Sequence, residues 1–169
     1  ARREISGWDT AGFDDTDWTE ATVATPPGGV LAAQMMPPLR VTGTIRPKSE
    51  QPTRPGVFVF DLGQNISGWA RLRVRGPAGT KVTLRYSERI RENGSLDRDE
   101  ISKFVFAGPF QQDTYILKGG GDEVWEPRFV YHGFQYIEVS GFPGRPTLDD
   151  LEGRVVHTDF EPAGEFRCA

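Results

Sequence analysis

Residues 70–86 read Ala70-Arg71-Leu72-Arg73-Val74-Arg75-Gly76-Pro77-Ala78-Gly79-Thr80-Lys81-Val82-Thr83-Leu84-Arg85-Tyr86, and this stretch decides the fold. Ala70, Leu72 and Val74 face one way while Arg71, Arg73 and Arg75 face the other. That is the two-residue period of a strand with one buried face. Val82, Leu84 and Tyr86 alternate with Thr83 and Arg85 in the same manner. Between the two runs, Gly76 to Thr80 has the length of a hairpin loop and supplies glycines for positions that need positive φ.

The same period extends in both directions. Upstream, Leu39 to Ile45 alternates and Val57 to Phe60 is a short apolar run. Downstream, Asp113 to Lys118 reads as a strand closed by the turn Gly119-Gly120-Gly121-Asp122. Trp125, Pro127, Phe129 and Tyr131 are expected on one face of the next strand, against Glu126, Arg128 and His132. Phe134 to Val139, 152–158 and 164–168 supply three more runs. About nine or ten short strands with no convincing helix predict an all-β fold, an antiparallel β-sandwich of jelly-roll type. Val30 to Met36, between Gly-Gly and Pro-Pro, is the only segment a helix could claim, and an extended connector fits it equally.

Bulk properties agree with one folded domain. The chain has 169 residues with 37% hydrophobic and 11% aromatic content, above the range of disorder. Gly 20 and Pro 13 recur between the apolar runs and mark turns. A net charge of −4 without a clustered basic face argues against nucleic acid as a partner. No apolar run approaches the ~20 residues of a membrane span. The single cysteine, Cys168, excludes an internal disulfide and is expected as a small buried hydrophobe. The chain opens without Met or a signal-like segment and reads as trimmed at both ends, so the compartment is not legible.

Four segments together resemble the bacterial α-L-rhamnosidases. They are Phe60-Asp61-Leu62-Gly63-Gln64-Asn65-Ile66-Ser67-Gly68-Trp69, then Arg71 to Thr80, Asp113 to Gly119, and Trp125-Glu126-Pro127-Arg128-Phe129 with His132-Gly133-Phe134-Gln135-Tyr136. The resemblance implies the family's concanavalin-like β-sandwich over residues 39–160. Residues 1–38, with Gly7-Trp8-Asp9, Phe13-Asp14-Asp15 and Trp18, resemble the tail of the preceding galactose-binding-like domain plus a linker. Residues 161–169 are similar to the lead-in to the catalytic barrel of helical hairpins. The implied partners are that α/α barrel of the same parent chain and rhamnose-containing glycans. The implied parent activity is hydrolysis of terminal α-L-rhamnosyl units with inversion, performed elsewhere than in this piece.

The residues themselves give no catalytic site. Glycoside hydrolysis needs two carboxyls about 6.5–9.5 Å apart for inversion or about 5–5.5 Å for retention. Asp61, Glu88, Asp97, Asp99, Glu100 and Glu126 are the candidates. Asp61 suits a tight turn, Glu126 suits a surface ion pair with Arg128, and Asp97 to Glu100 suit a solvated loop. The acids of 92–100 do not follow the spacing of a calcium loop with its central glycine. His132 and His157 fall in strand patterns and are expected to be half-buried and structural. Gly119 to Gly121 lacks the Lys-Ser/Thr and helix of a phosphate loop. No catalytic residue, metal or cofactor is expected.

Residues 89–110 break the strand rhythm, and a segment this long is usually functional or contacts another part of the protein. Asp97, Arg98 and Asp99, with Phe104, Phe106 and Phe110, are therefore candidates for carbohydrate or inter-domain contact. Trp69 and Trp125 join them as sugar-stacking platforms, although packing is the commoner role of a tryptophan.

Overall fold

A computed structural model describes residues 5–99 and 109–168. It holds eight strands: β1 (Leu39–Ile45), β2 (Ser49–Arg54), β3 (Val57–Arg75), β4 (Lys81–Ser87), β5 (Gln112–Ile116), β6 (Asp122–Trp125), β7 (His132–Ser140) and β8 (Leu151–Thr158). A 3-10 turn at Leu148–Asp150 precedes β8. All strand pairs are antiparallel, in the order β1-β8-β3-β7-β4-β5, with β2 and β6 also paired to β3. The fold is the antiparallel β-sandwich of jelly-roll type that the alternation predicts.

The strand count is lower than expected, and β3 is the reason. The apolar run at 57–60 and the alternating run at 70–75 are one strand of 19 residues. Its first half pairs with β2 and β7, and its second half with β8 and β6. The register slips between Asp61 and Ile66, where Asp61 Oδ1 accepts the Gly63 N–H at 2.6 Å and Gly63 has φ +70°. Leu-Gly-Gln-Asn therefore bends the strand without ending it, as bulges do. One layer is β2-β3-β7-β4-β5, the other β1-β8-β3-β6, and β3 crosses between them.

Two expected strands fail. The run after Trp125 is not extended, because Pro127 cannot donate to a ladder and the chain turns out of the sheet. The segment 164–168 pairs with nothing described. Residues 21–38 contain no helix, and Val23, Val30, Leu31 and Met35 are almost wholly exposed.

Between the layers lies one core of Phe58, Phe60, Leu62, Ile66, Leu72, Leu84, Tyr86, Phe134, Ile137 and Leu151 with their neighbours. The layers approach closely at Gly153, where a Cβ would lie 2.6 Å from Leu62 Cδ1. Glu123 ties the β5–β6 turn by accepting from Tyr115 Oη at 2.5 Å and from the N–H groups of Lys118 and Gly119. Burial alone would raise this carboxyl, but those hydrogen bonds and the Lys118 charge outweigh it and hold the pKa below the usual range.

Candidate functional site

Alternation puts a polar row on the outer face of the five-stranded layer. Gln51, Val59, Glu138, Arg85 and Gln112 are successive cross-strand neighbours. Glu138 is buried and accepts from Arg85 Nη1 at 2.9 Å, with Arg54 Nη2 at 3.5 Å. Arg85 Nε donates to Gln112 Oε1 at 2.9 Å. The segment after β4 folds back over this row. Ser87 Oγ donates to the Asp97 carbonyl at 2.5 Å, Leu96 is buried, and Gly94 sits so close to Gln51 that a Cβ would be 2.6 Å from its Nε2. Arg98 donates to the Phe110 carbonyl. Burial and the nearby Arg85 charge lower the Arg98 pKa, while Glu138 opposes them.

The contact residues expected in 89–110 thus divide. Asp97 and Arg98 are half-buried on their own sheet, and Asp99 is exposed with Arg91 Nη2 2.7 Å away. Phe110 is 39% exposed. Phe104, Phe106 and Glu100 lie outside the described residues. Residues 94–98 fold back on this domain's own sheet, while 89–93, Asp99 and Phe110 are exposed.

A buried polar cluster supports the other end of β7. Asp113 Oδ2 accepts from Tyr86 Oη at 2.6 Å and lies 3.0 Å from His132 Nε2. The imidazole stacks on the Tyr86 ring at 4.2 Å and 19°. Its Nδ1 lies 2.8 Å from Gln111 Oε1, and Gln111 Nε2 donates to the Gly133 carbonyl at 3.0 Å. Burial, then the Asp113 charge, push the Tyr86 hydroxyl well above the ordinary phenol range. The cluster holds β4, β5 and β7 together. His132 is buried as a structural histidine, whereas His157 is exposed.

The four-stranded layer carries the two tryptophans on opposite faces. Ala70 points into the core, so Trp69 points out, opposite Arg154. Its Nε1–H donates to Glu126 Oε2 at 2.7 Å, and Arg154 Nε lies 3.4 Å from the same oxygen. Trp125 lies against the core edge, stacked on Tyr115 at 5.0 Å and 20°. Arg71, Val124, Trp125, Glu126, Pro127 and Arg128 line an open cleft of about 740 Å³. Beyond it Phe129 is 104% exposed at φ +62°. Glu126 does not pair with Arg128 as expected, because the strand ends before both.

None of the candidate carboxyls in the described residues forms a paired site. Asp61 holds its turn and Gln135, Glu88 accepts from Asn65, Asp97 and Asp99 lean on Arg91, and Glu126 is taken by Trp69 and Arg154. Among the described residues no group of three His, Cys, Asp or Glu side chains could hold a metal ion. Cys168 is exposed, contrary to expectation, in the irregular stretch after β8.

Residues 51–157 match the bacterial alpha-L-rhamnosidase concanavalin-like domain, and residues 1–43 match the alpha-L-rhamnosidase N-terminal domain. The chain belongs to the bacterial α-L-rhamnosidase concanavalin-like domain family. An α-L-rhamnosidase of Streptomyces avermitilis is 41% identical over 98% of this chain and 16% of its own length. One of Formosa agariphila is 32% identical over 100% of this chain and 18% of its own. The solved α-L-rhamnosidase of Dictyoglumus thermophilum superposes with a TM-score of 0.90 and 44% identity, over 99% of this chain and 19% of that one. The chain therefore spans less than a fifth of the length of these relatives.

Sequence reasoning missed two features of this concanavalin-like domain. The cluster of Tyr86, Gln111, Asp113 and His132 is assembled from three strands and has no local motif. The exposed Phe129 was hidden by an alternation that runs through Pro127. That proline was the available warning.

Proposed function

We propose that this chain is a non-catalytic accessory β-sandwich of a longer glycoside hydrolase, whose parent removes terminal α-L-rhamnosyl units by inversion. The observation that supports this reading best is coverage: the Streptomyces relative aligns with 98% of this chain, yet that region is only 16% of the relative. The open cleft beside Trp125 is lined by one carboxylate, Glu126, where hydrolysis needs two, and this supports the same reading. The domain's work is then to pack beside the catalytic α/α barrel and shape the approach of a rhamnose-containing glycan. The test compares the 169-residue chain with its full-length parent on an aryl α-L-rhamnoside. The parent should release the aryl group and the chain should not; activity that tracks the chain through repurification overturns the assignment.

A second reading has one observation in its favour. The cleft beside Trp125 combines an aromatic side chain with Arg71, Glu126 and Arg128, a mixture suited to a saccharide. Calorimetric titration with L-rhamnose distinguishes a binding module from a packing module.

A further inference from the structure

The loop from Glu126 to His132 is held firmly at both ends and left bare in the middle. At one end Glu126 is fixed by Trp69 and Arg154, and Pro127 is buried. At the other, His132 is buried between Asp113 and Gln111. Between those anchors Phe129 is 104% exposed, Val130 37% and Tyr131 63%. Arg128 is exposed and has no ion pair or hydrogen bond among the described residues.

Phe129 has φ +62° and Gln111 φ +49°, the two positive-φ residues other than glycine among those described. A bulky residue in the left-handed region is an outlier that persists only where its surroundings impose it, and such residues gather at functional sites. A fully exposed ring gains nothing from burial within its own domain. Gln111 joins the same structure, since its side chain reaches both His132 and Gly133 and its neighbour Phe110 adds a second exposed ring.

We infer that Arg128–Tyr131 is a docking finger that seats Phe129 and Tyr131 in an apolar recess of a neighbouring domain of the same, longer polypeptide. Arg128 would meet an acidic group at its rim. This rests on the reading of the chain as an accessory domain. Rigid aromatic anchors flanked by arginine are the side chains that dominate protein interfaces. A sugar platform is instead a flat, half-sheltered ring among polar groups, and Phe-Val-Tyr offers none. The relatives' remaining length, more than four-fifths of each, supplies the opposing surface.

Hydroxyl-radical footprinting of the full-length polypeptide and of this chain tests the finger. Phe129 and Tyr131 should be modified at least tenfold more slowly in the full-length protein; rates within twofold overturn the inference. Phe129→Gly relieves the backbone and should leave the melting point of the isolated chain unchanged or raised. In the full-length protein it should lower the melting point and increase labelling of Tyr131. An equal rise in both proteins overturns the inference, as does sedimentation showing that the finger pairs two copies of the isolated chain. These readouts do not use activity, so a full-length protein inactive on rhamnosides would defeat the rhamnosidase assignment of the parent while leaving the finger intact.

Discussion

Asp113→Ala should destabilise this domain strongly, although Asp113 touches no candidate ligand. Its Oδ2 is the shared partner of Tyr86 Oη at 2.6 Å and His132 Nε2 at 3.0 Å, and Tyr86 has no exposed surface. Removing the carboxylate orphans Tyr86 Oη and His132 Nε2 at a largely buried site. Each orphan costs about 1–3 kcal/mol, so the loss is about 4 kcal/mol. A domain of this size has roughly 5–15 kcal/mol in total. At about 2–4 °C per kcal/mol, the melting point should fall by roughly 8–16 °C. Tyr86→Phe removes one hydroxyl and leaves the Asp113–His132 contact, and should cost about 1–2 kcal/mol. In the double variant the two losses should fall short of their sum by at least about 1 kcal/mol, because the phenol has already lost its acceptor. Urea unfolding followed by circular dichroism measures all four proteins. A melting point for Asp113→Ala within about 2 °C of the parent, or losses that simply add, would refute a cooperative cluster.

Alkaline pH should find the same cluster. The folded Tyr86 pKa is raised, so its contribution is complete below the ordinary phenol pKa of about 10 and is lost as pH rises toward the folded value. Stability should therefore decline above about pH 10 by up to about 1.4 kcal/mol per pH unit, and Tyr86→Phe should flatten that decline in urea melts. Gly153→Ala drives a methyl against Leu62 Cδ1 and Ile66 Cδ1 and should cost about 1–3 kcal/mol; a second change, Leu62→Val, should recover part of it, and no recovery would mean that the layers do not meet there. Glu138→Ala removes the buried carboxylate that Arg85 and the largely exposed Arg54 share, and should cost about 1 kcal/mol. Amide exchange across 94–97 should quicken in that variant, whereas unchanged exchange would show that the loop does not depend on the row beneath it.

The fold was legible where one strand face is buried and the other wet. Ala70, Leu72 and Val74 against Arg71, Arg73 and Arg75 have the predicted burial, and β4 follows Gly76 to Thr80 as a hairpin partner in sequence. Yet β3 and β4 do not pair with each other; β4 lies between β5 and β7. Alternation reports which face is covered and says nothing about which strand lies alongside. The continuity of β3 was illegible for a related reason. Leu-Gly-Gln-Asn carries the residue types of a turn, and a bulge uses the same residues for the same positive φ at Gly63. Only the cross-strand partners, Tyr136 before the slip and Phe134 after it, tell the two apart.

The candidate site was harder to read, and its parts differ in how they hide. Trp69 is visible as a tryptophan, but its outward direction follows from Ala70 pointing inward, and its Glu126 partner lies 57 positions away. Asp113, His132 and Gln111 each look like ordinary strand or loop residues, and they become one unit only because β4 pairs with both β5 and β7. The finger is the sharpest case. Period two across Trp125, Pro127, Phe129 and Tyr131 would put all four rings on a buried face, and it covers only Trp125 and Pro127. Pro127 ends the ladder, the chain leaves the sheet, and the next two aromatic side chains are carried into solvent by the residues that anchor the loop. An alternation that spans a proline is therefore better read as two segments: the first belongs to the core, and the second is where this domain has an apolar surface to offer.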